Sequence, residues 1–368
     1  MGSWGYILVS GLAVGGIAGF LMHRSGFCLA GAFRDVFLFR DAFLARNLLL
    51  AVVASMVLFE GARRLGLLPF HPFPLLGPPS AAHLAGGMVF GVGMVLAGGC
   101  VVGTLYKTGA GNLPAAAAVL GLIAGSAAYA EFHPLWSSLR AVARLPVDAV
   151  TFPLLLTVDP GIIVLAIAVP AAFLFARWRR EGKWSRRGDL PRGYVPPWAA
   201  AFALALLGTG YCSLTGMPIG ITTSYSKMAG WAESLLAPRH FESLTFFRSI
   251  PLSVVHPGTG ELLLGGPGPV PDYISAVQLP VIAGILLGGA LSAVLVSELT
   301  FRRRIHAGQL LAGFSGGVLM ALSSRLGGGC NVWHLLGGMP ILALPSLLFA
   351  AGLFPGAWMG GRLMAKIL

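Results

Sequence analysis

Nine apolar runs, each of a length that suits a membrane span, punctuate the chain at roughly residues 5–22, 42–60, 82–99, 113–130, 161–177, 197–215, 280–297, 309–325 and 343–361. A helix needs about 17–25 apolar residues to cross the hydrocarbon core, so each run predicts a transmembrane helix. Run two carries Arg46 near its start, and run five is preceded by a further apolar stretch at 150–158. The charged and polar residues collect between the runs. The fold class this predicts is all-α: a polytopic membrane protein of about nine transmembrane helices.

The distribution of basic residues sets an orientation. The loops after runs one, three, five and seven, with the C-terminal tail, hold 17 of the 25 Lys and Arg. The densest blocks, Arg177-Trp178-Arg179-Arg180 through Lys183 to Arg186-Arg187, and Arg302-Arg303-Arg304, fall on that same side. Basic loops stay cytoplasmic, which puts the N-terminus outside and the C-terminus in the cytoplasm of a bacterial inner membrane. The formal charge of +12 therefore reads as topology, and nucleic acid is not an expected partner. The N-terminus lacks a basic n-region and its apolar run leads into more protein, so no cleavable signal peptide is expected.

Composition sharpens this picture. Hydrophobic residues make up 56% and charged residues 10% of the chain, with a mean hydropathy of +0.81, which excludes a soluble domain. Gly accounts for 52 of 368 residues, and in spans it lets helices approach closely or break near a site. The four Cys show no Cys-x-x-Cys pairing, so neither a zinc site nor a disulfide framework is expected.

The four Cys instead mark a repeat. Gly26-Phe27-Cys28-Leu29-Ala30-Gly31, Gly99-Cys100-Val101-Val102-Gly103, Gly210-Tyr211-Cys212-Ser213-Leu214-Thr215-Gly216 and Gly329-Cys330-Asn331 follow runs one, three, six and eight. Two groups of four spans joined by a single connecting span would be inverted relative to each other, with a site near the midplane where broken helices meet. The expected division is a first repeat over 1–135, a connecting span and basic cytoplasmic loop over 136–196, and a second, inverted repeat over 197–368. Each Cys stretch is read as a short re-entrant helix, tolerated at membrane depth only against protein or a wet cavity. The long connection 217–279 lies outside, with an interfacial helix expected over 232–250 and a role in capping an outer vestibule.

All 13 Asp and Glu fall in loops or at span edges, whereas cation sites and proton relays usually place carboxylates within spans. The groups left for the midplane are helix-start N–H donors, hydroxyls and thiols, and a helix start favours an anion. A thiol is soft and polarisable, a weak donor and weak acceptor, suited to a sulfur-terminated anion. It must stay protonated, because a thiolate repels an anion; apolar surroundings favour this and a helix start opposes it. Candidate substrate-binding residues are therefore Cys28, Cys100, Cys330 and Cys212. Gly99, Gly329, Arg24, Arg34, Lys107, Asn331 and His334 are candidates for supporting them. No catalytic residue, metal or cofactor is expected. A sulfurtransferase carrying sulfur on Cys, with His334 as the one nearby base, and a soft-metal transporter are the competing readings.

The string His23-Arg24-Ser25-Gly26-Phe27-Cys28-Leu29-Ala30-Gly31-Ala32-Phe33-Arg34-Asp35 and Gly98-Gly99-Cys100 with Gly103 resemble the YeeE/YedE family of bacterial inner-membrane transporters of sulfur compounds. The resemblance runs nearly the length of the chain. It implies uptake of thiosulfate, with another branch associated with selenium metabolism. It also implies three cysteines, matching Cys28, Cys100 and Cys330, that pass the anion on through S–H hydrogen bonds; Cys212 has no match in that trio. A small cytoplasmic sulfur-carrier protein is the implied partner, alongside membrane lipid.

Overall fold

A computed structural model describes residues 3–68, 72, 77–184, 193–300 and 305–367. The basic residues Arg186, Arg187 and Arg302–Arg304 lie outside the described residues. The described chain is almost wholly helical, and nine of its helical segments are long and apolar enough to cross a membrane. It is a multi-pass membrane protein.

Helix α1 (Ser3–Ser25) ends at a left-handed Gly26 and is followed by a short helix, α2 (Leu29–Leu38). Next come α3 (Phe43–Arg64), α4 (Ala81–Leu96) and a second short helix, α5 (Val101–Gly109). Asn112 caps α6 (Leu113–Glu131), accepting from the Ala115 N–H at 2.9 Å, with Pro114 in its first turn. Two surface helices, α7 (His133–Val142) and α8 (Phe152–Leu156), lead to α9 (Pro160–Arg180), capped by Asp159. The chain returns through α10 (Pro197–Thr215) and then forms α11 (Thr222–Leu236), α12 (Pro238–Ser243) and α13 (Thr245–Arg248). An antiparallel hairpin of β1 (Leu252–Val255) and β2 (Leu262–Gly265) follows. The chain closes with α14 (Tyr273–Leu295), α15 (Ala307–Leu326), a π-helical turn (Trp333–Gly338) and α16 (Leu344–Ile367).

The packing partners fall into matched sets. Helix α1 packs on α14, and α10 packs on α3. Helix α4 packs on α16, and α15 packs on α6. The short helix α2 rests on α16, and α11 rests on α6. Exchanging α1 with α10, α2 with α11, α3 with α14, α4 with α15 and α6 with α16 turns each contact into its counterpart. The connecting helix α9 packs against α3 and is largely lipid-facing.

Bare backbone makes the tightest of these contacts possible. A Cβ on Gly288 would stand 2.0 Å from the Gly16 carbonyl oxygen, and one on Gly356 would stand 2.1 Å from that of Met88. Gly317 meets the Ala118 carbonyl in the same way, at 2.1 Å. Lipid supplies no hydrophobic drive to join helices, so close van der Waals contact through small residues holds the pairs α1–α14, α4–α16 and α6–α15.

Three sequence expectations are corrected here. Run seven begins at Tyr273 rather than 280, because Asp272 and Ser275 cap each other across the first turn and Pro280 is tolerated inside the helix. The segment 232–250 is not one helix: α11 ends at Leu236, and Pro238 starts a separate short piece. The hairpin was not foreseen, since its strands are only four residues each.

His256 locks the hairpin to the bundle. Its Nδ1 accepts from the Gly258 and Thr259 N–H groups, both at 3.1 Å, so the ring is neutral with its proton on Nε2, facing the Tyr6 hydroxyl. Burial pushes the His256 pKa down, against a smaller opposing pull from Glu261; Tyr273 also faces the ring. The neutral form is the one that folds this turn, so its contribution is present above the ordinary histidine pKa of about 6.5 and is lost as pH falls below it. The protection of the amides across 252–265, after correction for the intrinsic slowing of exchange at lower pH, is expected to fall on acidification from pH 7.5 to 5.5, and that fall should be absent in His256→Gln. Unchanged protection over that range contradicts the assignment.

Candidate functional site

Short helices starting inside the bundle need acceptors for their first N–H groups, which water satisfies elsewhere. At α5 a cysteine supplies one: Cys100 is the N-cap, and its Sγ accepts from the Gly103 N–H at 3.3 Å, whereas Cys28 holds the N-cap position of α2 without a side-chain capping bond. The Cys28 and Cys100 thiols both lie against Gly103. Cys330 precedes the turn leading into Trp333–Gly338, its carbonyl accepting from the His334 N–H at 3.0 Å, and its buried thiol lies near the Ile221 backbone. Ile221 is the N-cap of α11. Four helix starts thus face one another: those after Cys28 and Cys100, and those after Ile221 and Cys330. All three thiols are buried.

Glycine makes room between them. A Cβ on Gly103 would lie 3.2 Å from the Cys28 Sγ and 3.5 Å from the Cys100 Sγ. A Cβ on Gly329 would lie 2.4 Å from the Trp333 ring, and one on Gly99 3.2 Å from the Gly103 carbonyl carbon. Gly98 and Gly328, at φ +65° and +77°, turn the chain out of α4 and α15 in a left-handed conformation that suits glycine.

Two cavities approach this cluster. One, of about 550 Å³, is lined by Thr222, Thr223, Gln278, Arg325, Gly329 and Trp333, among others, and hairpin residue Leu252 and the preceding Pro251 form part of its wall. The other, of about 170 Å³, is lined by Gly98, Lys107, Asn112 and Gln309 with apolar neighbours. Each Gly-Gly-Cys turn therefore opens onto a cavity of its own. Neither lining contains an Asp or Glu, while Arg140 and Arg325 line the first and Lys107 the second. Such walls favour an anion.

The remaining expected residues sort by their contacts. Lys107 lines the smaller cavity and donates to the Gly98 carbonyl at 2.5 Å. Asn331 is buried with neither amide atom partnered. His334 has both ring nitrogens committed, to Ser346 Oγ at 2.8 Å and the Gly327 carbonyl at 3.0 Å, and stacks on Phe349. It anchors the turn and is not a free base. Arg24 is spent on Ser292 Oγ (3.0 Å) and the Gly193 carbonyl (2.5 Å), and Arg34 on Asp35 (2.7 Å). Both side chains are bonded to these partners, and neither lines the two cavities.

Cys212 stands apart from the other three cysteines. It sits inside the continuous helix α10, packed with Phe59, Ala62, Leu68, Ile341 and Ala343, in a cluster separate from the other three. The break in this part of the chain comes nine residues later, at Ile221, where Met217-Pro218-Ile219-Gly220 was the available signal. Arg325 and Thr223, which line the larger cavity, are not among the residues the sequence singles out; the place of Arg325 five residues before Cys330 is the available signal.

A helical bundle interrupted by paired short helices around a buried site is the build of a membrane transporter. The chain belongs to the Sulphur transport family, whose profile matches residues 24–359. It is 28% identical to a thiosulfate transporter TsuA of Spirochaeta thermophila over 95% of this chain and 96% of that one. It is 39% identical to TsuA of Escherichia coli over 28% of this chain and 29% of that one, and 28% identical to the probable transporter YedE of the same species over 44% and 39%. Membership sets it among transporters rather than enzymes.

The gap at Gly103 is directly testable. Gly103→Ala is expected to destabilise the protein by about 1–3 kcal/mol through overpacking, read as a lower melting temperature in detergent. In a Cys28→Ala background, which removes the nearest atom, most of that penalty should vanish. An equal penalty in both backgrounds contradicts the placement of the two thiols.

Proposed function

We propose that this protein takes up thiosulfate across the bacterial inner membrane, the anion passing from the larger, outer cavity past Cys330, then Cys100 and Cys28, to the smaller, inner one. The observation that carries this reading is the convergence of three buried thiols and four helix starts between two cavities without carboxylates. Helix-start N–H groups stabilise the negative charge. Neutral thiols offer weak, soft S–H contacts to the terminal sulfur, strong enough to guide and weak enough to release. The matched packing supports two inverted halves, 1–135 and 197–368, linked by α9. The basic loops favour an N-terminus outside. A related sulfur or selenium anion would use the same contacts. On the cytoplasmic side, a small sulfur-carrier protein would receive the cargo near Lys107.

The sulfurtransferase reading loses its base, because His334 is fully bonded. A soft-metal route is disfavoured by cation-bearing walls.

Uptake of labelled thiosulfate by intact cells is expected to fall at least about tenfold in Cys100→Ala and Cys330→Ala, the loss of roughly one well-made contact in the passage. Cys212→Ala should retain most of it. Cys→Ser at the three path positions should retain more than Cys→Ala if a neutral donor is what matters. Full uptake in the triple alanine variant would refute the thiol path.

A further inference from the structure

Arg325 stands near the end of α15, five residues before Cys330. Its Nη1 donates to Thr223 Oγ1 at 3.2 Å. Its Nε and Nη2 are buried and meet no acceptor, and among the described residues no carboxylate pairs with it. A guanidinium so placed is costly unless an anion completes its fork. The cavity it lines has room for one, and no acidic side chain competes there.

The cavity also gives the site a direction. Gly328 and Gly329 line the same cavity and lead into Cys330, which lies within electrostatic range of Arg325. One end of the site is therefore hard, a planar N–H fork with a threonine hydroxyl beside it. The other end is soft, a buried thiol beside the orphaned amide of Asn331. Guanidinium forks match oxygen pairs of oxyanions, whereas a thiol suits sulfur.

We propose that Arg325 and Thr223 form an oxygen-gripping station that orients the arriving anion, with its oxygens on the fork and its terminal sulfur leading toward Cys330. This rests on the sulfur-anion reading above and adds an orientation and a selectivity rule to it. A tetrahedral oxyanion with oxygens only, such as sulfate, fills the station but presents no soft atom to Cys330. Sulfate is then an occupant and competitor, not cargo.

The test separates binding from transport. Calorimetric titration of the purified protein with sulfate, and separately with thiosulfate, needs no transport. Sulfate is expected to bind, to lose about tenfold or more in affinity in Arg325→Gln, and to bind Cys330→Ala as it binds the unaltered protein. Arg325→Lys, which keeps the charge but not the fork, should fall between. The preference for thiosulfate over sulfate should collapse in Cys330→Ala. In proteoliposomes, sulfate should raise the apparent KM for thiosulfate without lowering the maximal rate, and not in Arg325→Gln. Failure of sulfate to bind, or equal sulfate affinity in the unaltered protein and in both folded Arg325 variants, overturns the proposal. If binding follows the expected pattern but no thiosulfate enters, the transport reading fails while the station stands.

Discussion

A helix that starts inside a membrane protein leaves backbone N–H groups that water cannot reach, and the architecture depends on how those groups are satisfied. Four such starts meet here; three follow a cysteine, and at one of them the Cys100 thiol accepts from the Gly103 N–H. A thiol is a weak cap. It partly satisfies the donors and leaves them responsive to a better acceptor. Serine would hold them more firmly, and a carboxylate would fill the site with its own charge. Weak capping leaves such N–H groups open to a better acceptor, and the proposed anion path rests on that.

The rest of the bundle keeps this arrangement rigid. Glycine faces on α1, α14, α4, α16, α6 and α15 bring backbones into contact and fix the long helices that carry the breaks. The broken segments lean on this frame, α2 against α16 and α11 against α6. His334 ties the turn after Cys330 to Ser346 and Gly327, while Lys107 ties the end of α5 to Gly98. On one face the hairpin, held through His256, walls part of the larger cavity. The two cavities differ in kind: the larger offers an unsatisfied guanidinium, the smaller a flexible ammonium already bonded to a carbonyl. That asymmetry suits firm capture at one end and release at the other.

Much of the fold was legible in the sequence because membrane spans announce themselves by length and apolarity. All nine runs became helices, and the short helices after Cys28 and Cys100 lie where Gly-rich strings interrupt them. The candidate residues that the structure brings together are those where cysteine and glycine coincide in sequence. Where one stands without the other, the sequence does not point to the cluster. Cys212 carries the residue type but sits in an unbroken helix, and Ile221 begins a broken helix without the thiol. Residue type marked the chemistry, whereas Pro218 and Gly220 marked the backbone break. Arg24 and Arg34 misled for a related reason: charge near a cysteine in sequence was spent on local partners, while the cation facing the cavity, Arg325, looked like an ordinary span boundary. Three-dimensional partnering decides which charges are free, and no linear pattern encodes it.

The central claim is that neutral thiols and helix-start amides from both halves hold one anion on a shared path. A high-resolution density map of the protein with thiosulfate bound tests this most directly. The anion is predicted between the two cavities, among the helix starts of Cys330, Ile221, Cys100 and Cys28, with its terminal sulfur against a thiol. Thiosulfate bound elsewhere, with the three cysteines untouched and their helix starts still capped only by sulfur, would contradict it.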